Sequence, residues 1–261
     1  MAFPAIIQGR FGDEKVTSST KKNRIGARMV LADGSEFVYA SAGEAITAGK
    51  VTMQAQTSAG HIKDLVVYAA AAAGVSQIKL TNVTTAVVAS SSYTGTGTTI
   101  GDYEDGYVFI NDNAGEGQMW SIKNHSAAAT SGGNPDDTMV INFYDTDKVS
   151  TALTTSSEAG LIKNPQNSVE VWDLSDIDGI VAGVPRADVT SGYYFWNQVK
   201  GAATVLTNGS VVLGKNVMTG SSTDGSVDVV ADDSSAEFII GGVIGVAATT
   251  EYSALWLNIS A

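Results

Sequence analysis

The sequence predicts an all-β protein: an antiparallel β-barrel or sandwich with hairpin insertions and at most one or two short helices. Three observations lead there. Short runs rich in Val, Ile, Thr and aromatic residues recur along the 261 residues, separated by Gly, Asn and Asp clusters. No long stretches of helical period stand between them, as a parallel α/β fold would require. The final segment, YSALWLNI, alternates Leu255, Leu257 and Ile259 with Ala254, Trp256 and Asn258, the pattern of a strand paired inside a sheet.

Taken in order, residues 1–24 mix glycine with charge and carry Pro4, and read as an extended N-terminal arm with little structure of its own. Lys15, Lys21, Lys22, Arg24 and Arg28 concentrate positive charge there. A first β subdomain is expected over residues 25–100. It opens with a hairpin in RMVLADGSEFVYA, where Asp33-Gly34 separates two apolar runs. DLVVYAAAAAG is compatible with either a strand or a short helix, since alanine favours helix and the VVY run favours strand. The small, polar TGTGTTIGDYEDG suggests a boundary near residue 100. Residues 101–261 then form a larger barrel-like domain with an insertion, separate from the first or continuous with it. Within it, GYVFINDNAGEGQMWSIKNHSAA reads as one hairpin, Asn208-Gly209 as a second hairpin turn, and Asp224-Gly225 as a turn before SVDVV.

Composition removes several kinds of chemistry. Cysteine is absent, which excludes disulfides, thiolate nucleophiles and zinc-cysteine sites. The two histidines, His61 and His125, stand far apart and outside any metal-ligand spacing, so no metal site and no cofactor are expected. Fifteen Lys and Arg against 27 Asp and Glu give a formal charge of −12, a field that repels a phosphate backbone and argues against direct nucleic-acid binding. No apolar run approaches the roughly 20 residues of a membrane helix, and the N-terminus lacks the pattern of a secretory signal, so no membrane partner is expected.

Individual motifs favour structure over catalysis. GTGTTIG, residues 95–101, lacks the GKS or GKT ending of a phosphate loop and reads as a turn. Asp102, Glu104 and Asp105, with Asp112 and Glu116, are the candidates for a carboxylate pair or calcium oxygens, but DNAGEG lacks a complete calcium loop, so solvated turns are expected. The same holds for Asp136, Asp137, Asp232 and Asp233. Ser121 and His125 are close in sequence without a nucleophile motif. Tyr193, Tyr194, Phe195 and Trp196 form the densest aromatic run: on a strand it supplies core to both faces, or an aromatic patch for another subunit or a carbohydrate. Tyr193, Phe195, Trp196 and Trp256 are thus the oligomer-interface candidates, with Trp120 and Trp172 able to join either surface.

Four segments in this order carry a resemblance: GSEFVYASAGEAITAGKVTMQ, GYVFINDNAGEGQMWSIKNHSAA, AGVPRADVTSGYYFWNQVKGAATVL and GGVIGVAATTEYSALWLNI. Together they resemble the head decoration, or capsid cement, proteins of tailed bacteriophages, in particular marine ones, over most of the chain beyond the arm. No extra immunoglobulin-like cassette is visible, and nothing matches the small lambda-type cement protein. The resemblance implies a non-enzymatic structural virion protein, assembled in the host cytoplasm onto the outer surface of the expanded capsid. It further implies a homotrimer over capsomer junctions, with the major capsid protein as partner. Composition nominates the arm for capsid contact: Phe3, Ile6 and Ile7 to fill a groove, and Arg10, Lys15, Lys21, Lys22 and Arg24 to bond capsid carboxylates. The alternatives are a phage tail or knob component, a carbohydrate-binding β module or adhesin using Trp196 and nearby tyrosines, and, least of all, a β-rich hydrolase using Asp112 or Glu116.

Overall fold

The computed structural model describes residues 6–54, 61–81, 103–126, 138–144, 146–173, 179–230 and 238–259, with backbone alone at 61–63. The chain divides into two compact units, one of residues 1–56 and 165–261, the other of residues 57–164. The first contributes β1 (Ile6–Gln8), a 3-10 turn η1 (Asp13–Lys15), β2 (Arg28–Val30), β3 (Glu36–Ser41) and β4 (Thr52–Met53). The second contributes β5 (His61–Val66), β6 (Gln77–Thr81), β7 (Tyr107–Asp112), β8 (Met119–His125), β9 (Thr138–Phe143) and β10 (Glu158–Ile162). The chain then returns to the first unit with β11 (Glu170–Val171), β12 (Val181–Pro185), β13 (Tyr194–Leu206) and β14 (Asn216–Thr219). It ends with β15 (Val227–Val229), β16 (Ile239–Gly245) and β17 (Tyr252–Asn258). Nearly all regular structure is antiparallel β, as the sequence predicts.

The second unit is a small closed barrel. Its strands run β5-β10-β7-β8-β9-β6, every pair antiparallel. An antiparallel bridge from Val67 to Leu80, with Tyr68 N–H donating to Lys79 O (2.8 Å), joins the last strand to the first. That bridge brings the two end strands of the sheet together, and every second residue points inward. Ile78 and Leu80, Val108 and Ile110, Trp120 and Ile122, and Met139, Ile141 and Phe143 fill the interior. Trp120 stacks on Phe143 at 4.7 Å, and its indole N–H donates to Lys148 O (3.0 Å). The strand-or-helix ambiguity at DLVVYAAAAAG resolves by position: its first residues end β5, and the alanines form turns in which Ala71 bridges to Leu153.

In the first unit a curled sheet runs β1-β2-β3-β13-β17-β16-β14-β15, with β12 and β4 linking it to β11. The Asp33-Gly34 turn connects β2 and β3: Gly34 takes a φ of +81°, and Asp33 accepts the Ser35 N–H at 3.0 Å. Its carboxyl is held below the ordinary aspartate range chiefly by that bond. Asp224-Gly225 turns β14 into β15. At Asn208-Gly209 the outcome differs from expectation. The chain does turn there, but β14 pairs with β15 and β16 and not back onto β13.

The domain boundaries also differ from those expected. The division falls near residues 56 and 165, so the span expected as one subdomain, 25–100, contributes to both units. The boundary expected near residue 100 lies outside the described residues. Strand pairing explains the difference: β3 joins β13, with Glu36 and Lys200 lying 164 residues apart, so the barrel is an insertion between partners in one sheet. Of residues 1–24, expected as an extended arm with little structure of its own, the described residues 6–24 contain β1, η1 and a bridge from Ser18 to Tyr194.

Strand β17 lies between β13 and β16, with Leu255 and Leu257 fully buried and Trp256 half exposed. Leu255→Ala is expected to cost about 2–5 kcal/mol, as buried Leu truncations do. Trp256→Ala should cost clearly less, because half of the indole already lies in solvent. Urea unfolding of both variants checks the inside-outside assignment.

Candidate interaction surfaces

Two regions of the first unit combine exposed aromatic, apolar or cationic side chains with a cleft. The first is the outer face of β13, β17 and β16. Ala202, Trp256 and Gly242 are direct cross-strand neighbours, so the indole is flanked by a methyl group and a hydrogen. Trp256 is consequently 50% exposed, and Tyr252, on the same face, 41%. A cleft of about 580 Å³ adjoins them, floored by Ala202, Thr204 and Ala254 and walled by Tyr252, Gly49, Pro185, Arg186 and Lys15. Glycine is required at position 49 twice over: its φ is +77°, and a β-carbon there would meet the Tyr252 ring at 2.8 Å.

The second region is the N-terminal segment. β1 ends the sheet, pairing in parallel with β2, and all three of its residues are exposed. A turn later Glu14 is buried against the sheet, where its carboxylate accepts the Gly12 N–H (2.6 Å) and lies 3.8 Å from Arg186. Arg186 is itself oriented, with Nε–H donating to Gln198 Oε1 (2.7 Å) and Nη2–H to Ala202 O (2.6 Å). Inside this clamp Ile7, Val16, Met29, Tyr39, Tyr194 and Trp196 surround a smaller cleft of about 240 Å³, with Asp13 and Lys22 also on its walls. Tyr39 packs edge-on against Trp196 at 4.9 Å, and its hydroxyl accepts the Lys22 N–H at 3.0 Å. Burial pushes the Tyr39 phenol above the ordinary tyrosine range, against the opposing pull of the backbone N–H groups of Lys22 and Asn23.

Beneath both regions lies a buried polar network. Thr52 Oγ1–H donates to Gly183 O (3.0 Å), Asn197 Nδ2–H to Thr52 Oγ1 (2.8 Å), and Gln166 Nε2–H to Ala182 O (2.9 Å). Gly183 has a φ of +151°, and a β-carbon there would collide with the Asn197 side chain at 2.6 Å, so this network fixes the residue type. It joins β4, β12 and β13 through side chains that no sequence motif marks.

Of the capsid-contact candidates, Phe3 lies outside the described residues. Ile6, Ile7, Arg10, Lys15, Lys21, Lys22 and Arg24 are all exposed, although they lie on a docked segment. Of the interface candidates, Trp256 is exposed and Tyr193 half-buried, whereas Phe195 and Trp196 are 2% and 7% exposed. The last two are corrected: β13 is covered on both faces at this point, so Phe195 enters one core cluster and Trp196 another. Trp120 and Trp172 are also core. Sequence reasoning missed Tyr252, Arg186 and the Glu14 clamp. The alternation through β17 could have marked Tyr252, whereas a long-range ion pair leaves no local signal.

Among the described residues the catalytic candidates do not assemble. Asp105 is buried, with Tyr144 O–H donating to its carboxylate (2.8 Å) and Asn164 Nδ2–H to its carbonyl (2.9 Å). His125 is committed at both ring nitrogens: Nε2 accepts the Tyr103 N–H (3.2 Å), and Nδ1 faces Ser126 O (2.9 Å). That geometry leaves no nitrogen to activate Ser121. Asp112 and Glu116 sit in the β7–β8 turn, where Asp112 accepts the Asn113 N–H at 2.8 Å. Asp102, Asp136, Asp137, Asp232 and Asp233 lie outside the described residues. Among the described residues no group of three or more His, Asp or Glu is placed to hold a metal ion.

Comparison with known protein families, with curated proteins and with solved structures finds no match.

Two outcomes test this description. Glu14→Ala should release the N-terminal segment: amide exchange over residues 10–18 speeds up, and the first unit loses about 1–3 kcal/mol because Arg186 loses a buried partner. Unchanged exchange there would contradict the clamp. Alkaline titration followed by tyrosinate absorbance should show a late component that Tyr39→Phe removes. Because the folded-state value is raised, the stabilisation linked to Tyr39 is complete below about pH 10, the unfolded value, and is lost above it as pH climbs through the higher folded-state value.

Proposed function

We propose that this protein is a structural component of a virion head, seated on the outer surface of the expanded capsid as a homotrimer and acting through contact alone. The observation that carries the reading is the face around Trp256. There a sheet built for close backbone packing leaves a half-exposed indole among small residues, with Tyr252 on the same strand face. Solvent-exposed aromatics of this kind are a cost to a free monomer and a gain to a contact. The exposed cations of residues 10–24 add a second surface suited to carboxylates on the major capsid protein. The four-segment resemblance to phage head decoration proteins supplies the virion context.

Binding the assembled lattice but not its separated subunits would stabilise the shell by mass action, about 2.7 kcal/mol per site at a hundredfold excess over Kd. Symmetric copies add their contacts by avidity. One observation favours a second reading, a carbohydrate-binding β module: Tyr252 and Trp256 are exposed on the same face of one strand, four residues or about 13 Å of backbone apart, a separation suited to an extended polymer.

Cosedimentation with expanded and unexpanded phage heads, with the free protein's mass followed by light scattering, separates these readings. Saturable binding to expanded heads by a compact oligomer, weakened at least tenfold in Trp256→Ala, is the expected result. A monomer that ignores both head forms would overturn the capsid reading. Binding to tails alone would move it to a tail or knob, and retention on a glycan array would favour the carbohydrate reading.

A further inference from the structure

We infer that the free edge of β1 accepts an extended acidic strand from a partner protein, which adds to the sheet beside Ile6–Gln8 and places one apolar side chain in the cleft behind Ile7.

Three independent observations converge on this edge. First, β1 is the terminal strand of its sheet and, among the described residues, pairs with nothing on its outer side. Edge strands are ordinarily protected by charge, proline or a bulge. β1 has none of these and is limited only by its three-residue length: it reads Ile-Ile-Gln, with Ile6 and Ile7 at 45% and 37% exposure. Second, Ile7 is a wall of the 240 Å³ cleft whose other apolar walls are Val16, Met29, Tyr39, Tyr194 and Trp196. Side chains alternate along a strand, so an added strand in register sends every second one toward the face that Ile7 shares with Met29. Main-chain bonds to an edge, with a pocket for alternate side chains, are the two components of recognition by strand addition.

Third, the surroundings specify charge. Residues 6–28 hold six cations against Asp13 and Glu14; of the six, Arg28 lies 3.7 Å from Glu36 and Lys15 borders the other cleft, while Lys22 stands on the wall of this one. Glu14 is buried against Arg186, whereas Asp13 stands on the cleft wall with Lys22. The segment that carries the edge therefore has a positive net charge, with Lys22 at the cleft, in a chain whose formal charge is −12. The same fact selects the occupant. Two copies pairing through β1 would set these cations against one another, whereas an acidic strand brings opposite charge. The inference does not require the virion reading, since it concerns the chemistry of the partner strand and not the particle that carries it.

The test uses the full chain and short synthetic peptides alternating valine with glutamate, valine with lysine, or valine with glutamate but interrupted by proline. Calorimetry should show saturable binding of the valine–glutamate peptide, with amide exchange at residues 6–8 slowed in the complex. The lysine peptide should bind at least tenfold more weakly, and the proline-interrupted one not at all, because it cannot complete a ladder. Lys22→Glu, whose backbone bond to Tyr39 is retained, should weaken the glutamate peptide about tenfold while leaving the unfolding midpoint unchanged. Absence of binding by the folded protein, equal binding of the proline peptide, or preference for lysine would each overturn the inference. So would concentration-dependent self-association that Ile7→Lys abolishes, since that would make a second copy the occupant. Phage heads are absent from this experiment, so its failure and a failure of the capsid reading are told apart.

Discussion

The first unit depends on one strand, β13, and on the change of environment along it. Its thirteen residues pair with β3 over the first half and with β17 over the second, while β12 joins near Asn197 and Gln198. From Phe195 to Val199 every side chain is buried; from Lys200 to Val205 buried and exposed residues alternate. The register shifts between Gln198 and Lys200, and Gly201, at a φ of +96°, sits where a β-carbon would strike Ser35. This irregularity re-aims the strand. Before it, β13 is a core strand; beyond it, one face opens to solvent at Ala202 and Thr204, which with Trp256 and Ala254 form the exposed aromatic face.

Both candidate surfaces inherit their geometry from that strand. Gln198 and the Ala202 carbonyl orient Arg186, Arg186 holds Glu14, and Glu14 fixes the turn that places Lys15 and Val16 beside their respective clefts. A segment rich in cations thereby becomes a positioned surface and not a solvated tail. The fold does this without disulfides, using buried amides and hydroxyls whose hydrogen bonds each contribute about 1 kcal/mol net but would cost more if left unmade. Such an arrangement suits recognition by shape and charge. The barrel contributes a closed core whose polar interior groups, His125 and Asp105, are occupied by hydrogen bonds of their own.

Local patterns were legible in the sequence, and long-range pairings were not. The β2–β3 hairpin follows from Asp33-Gly34, the β7–β8 hairpin from its Asn, Asp and Gly turn, and the exposure of Trp256 from its place on the polar phase of an alternating strand. Each of these is decided within about ten residues. The inserted barrel was hidden because its limits are set by the union of β3 with β13, and nothing near Gln56 or Pro165 announces a partner so distant. Charge and glycine in residues 6–24 have the composition of a loose arm, yet the pairing of β1 with β2 and the burial of Glu14 against Arg186 outweigh it. Likewise Asn208-Gly209 is a good turn whose following strand finds better neighbours in β15 and β16. Trp196 shows the limit of reading an aromatic run: alternation separates it from Phe195, but only the cover supplied by residues 25–31 and Tyr39 decides that its face is internal.

The central claim is that contact surfaces of the first unit do the work of this protein. Hydroxyl-radical footprinting of the protein free and bound to expanded heads tests it most directly. The account predicts protection of Trp256 and Tyr252 and of residues 6–24, with the exposed Tyr68 and Met119 of the barrel unchanged. Protection confined to the barrel, with Trp256 as reactive on heads as in solution, would contradict it.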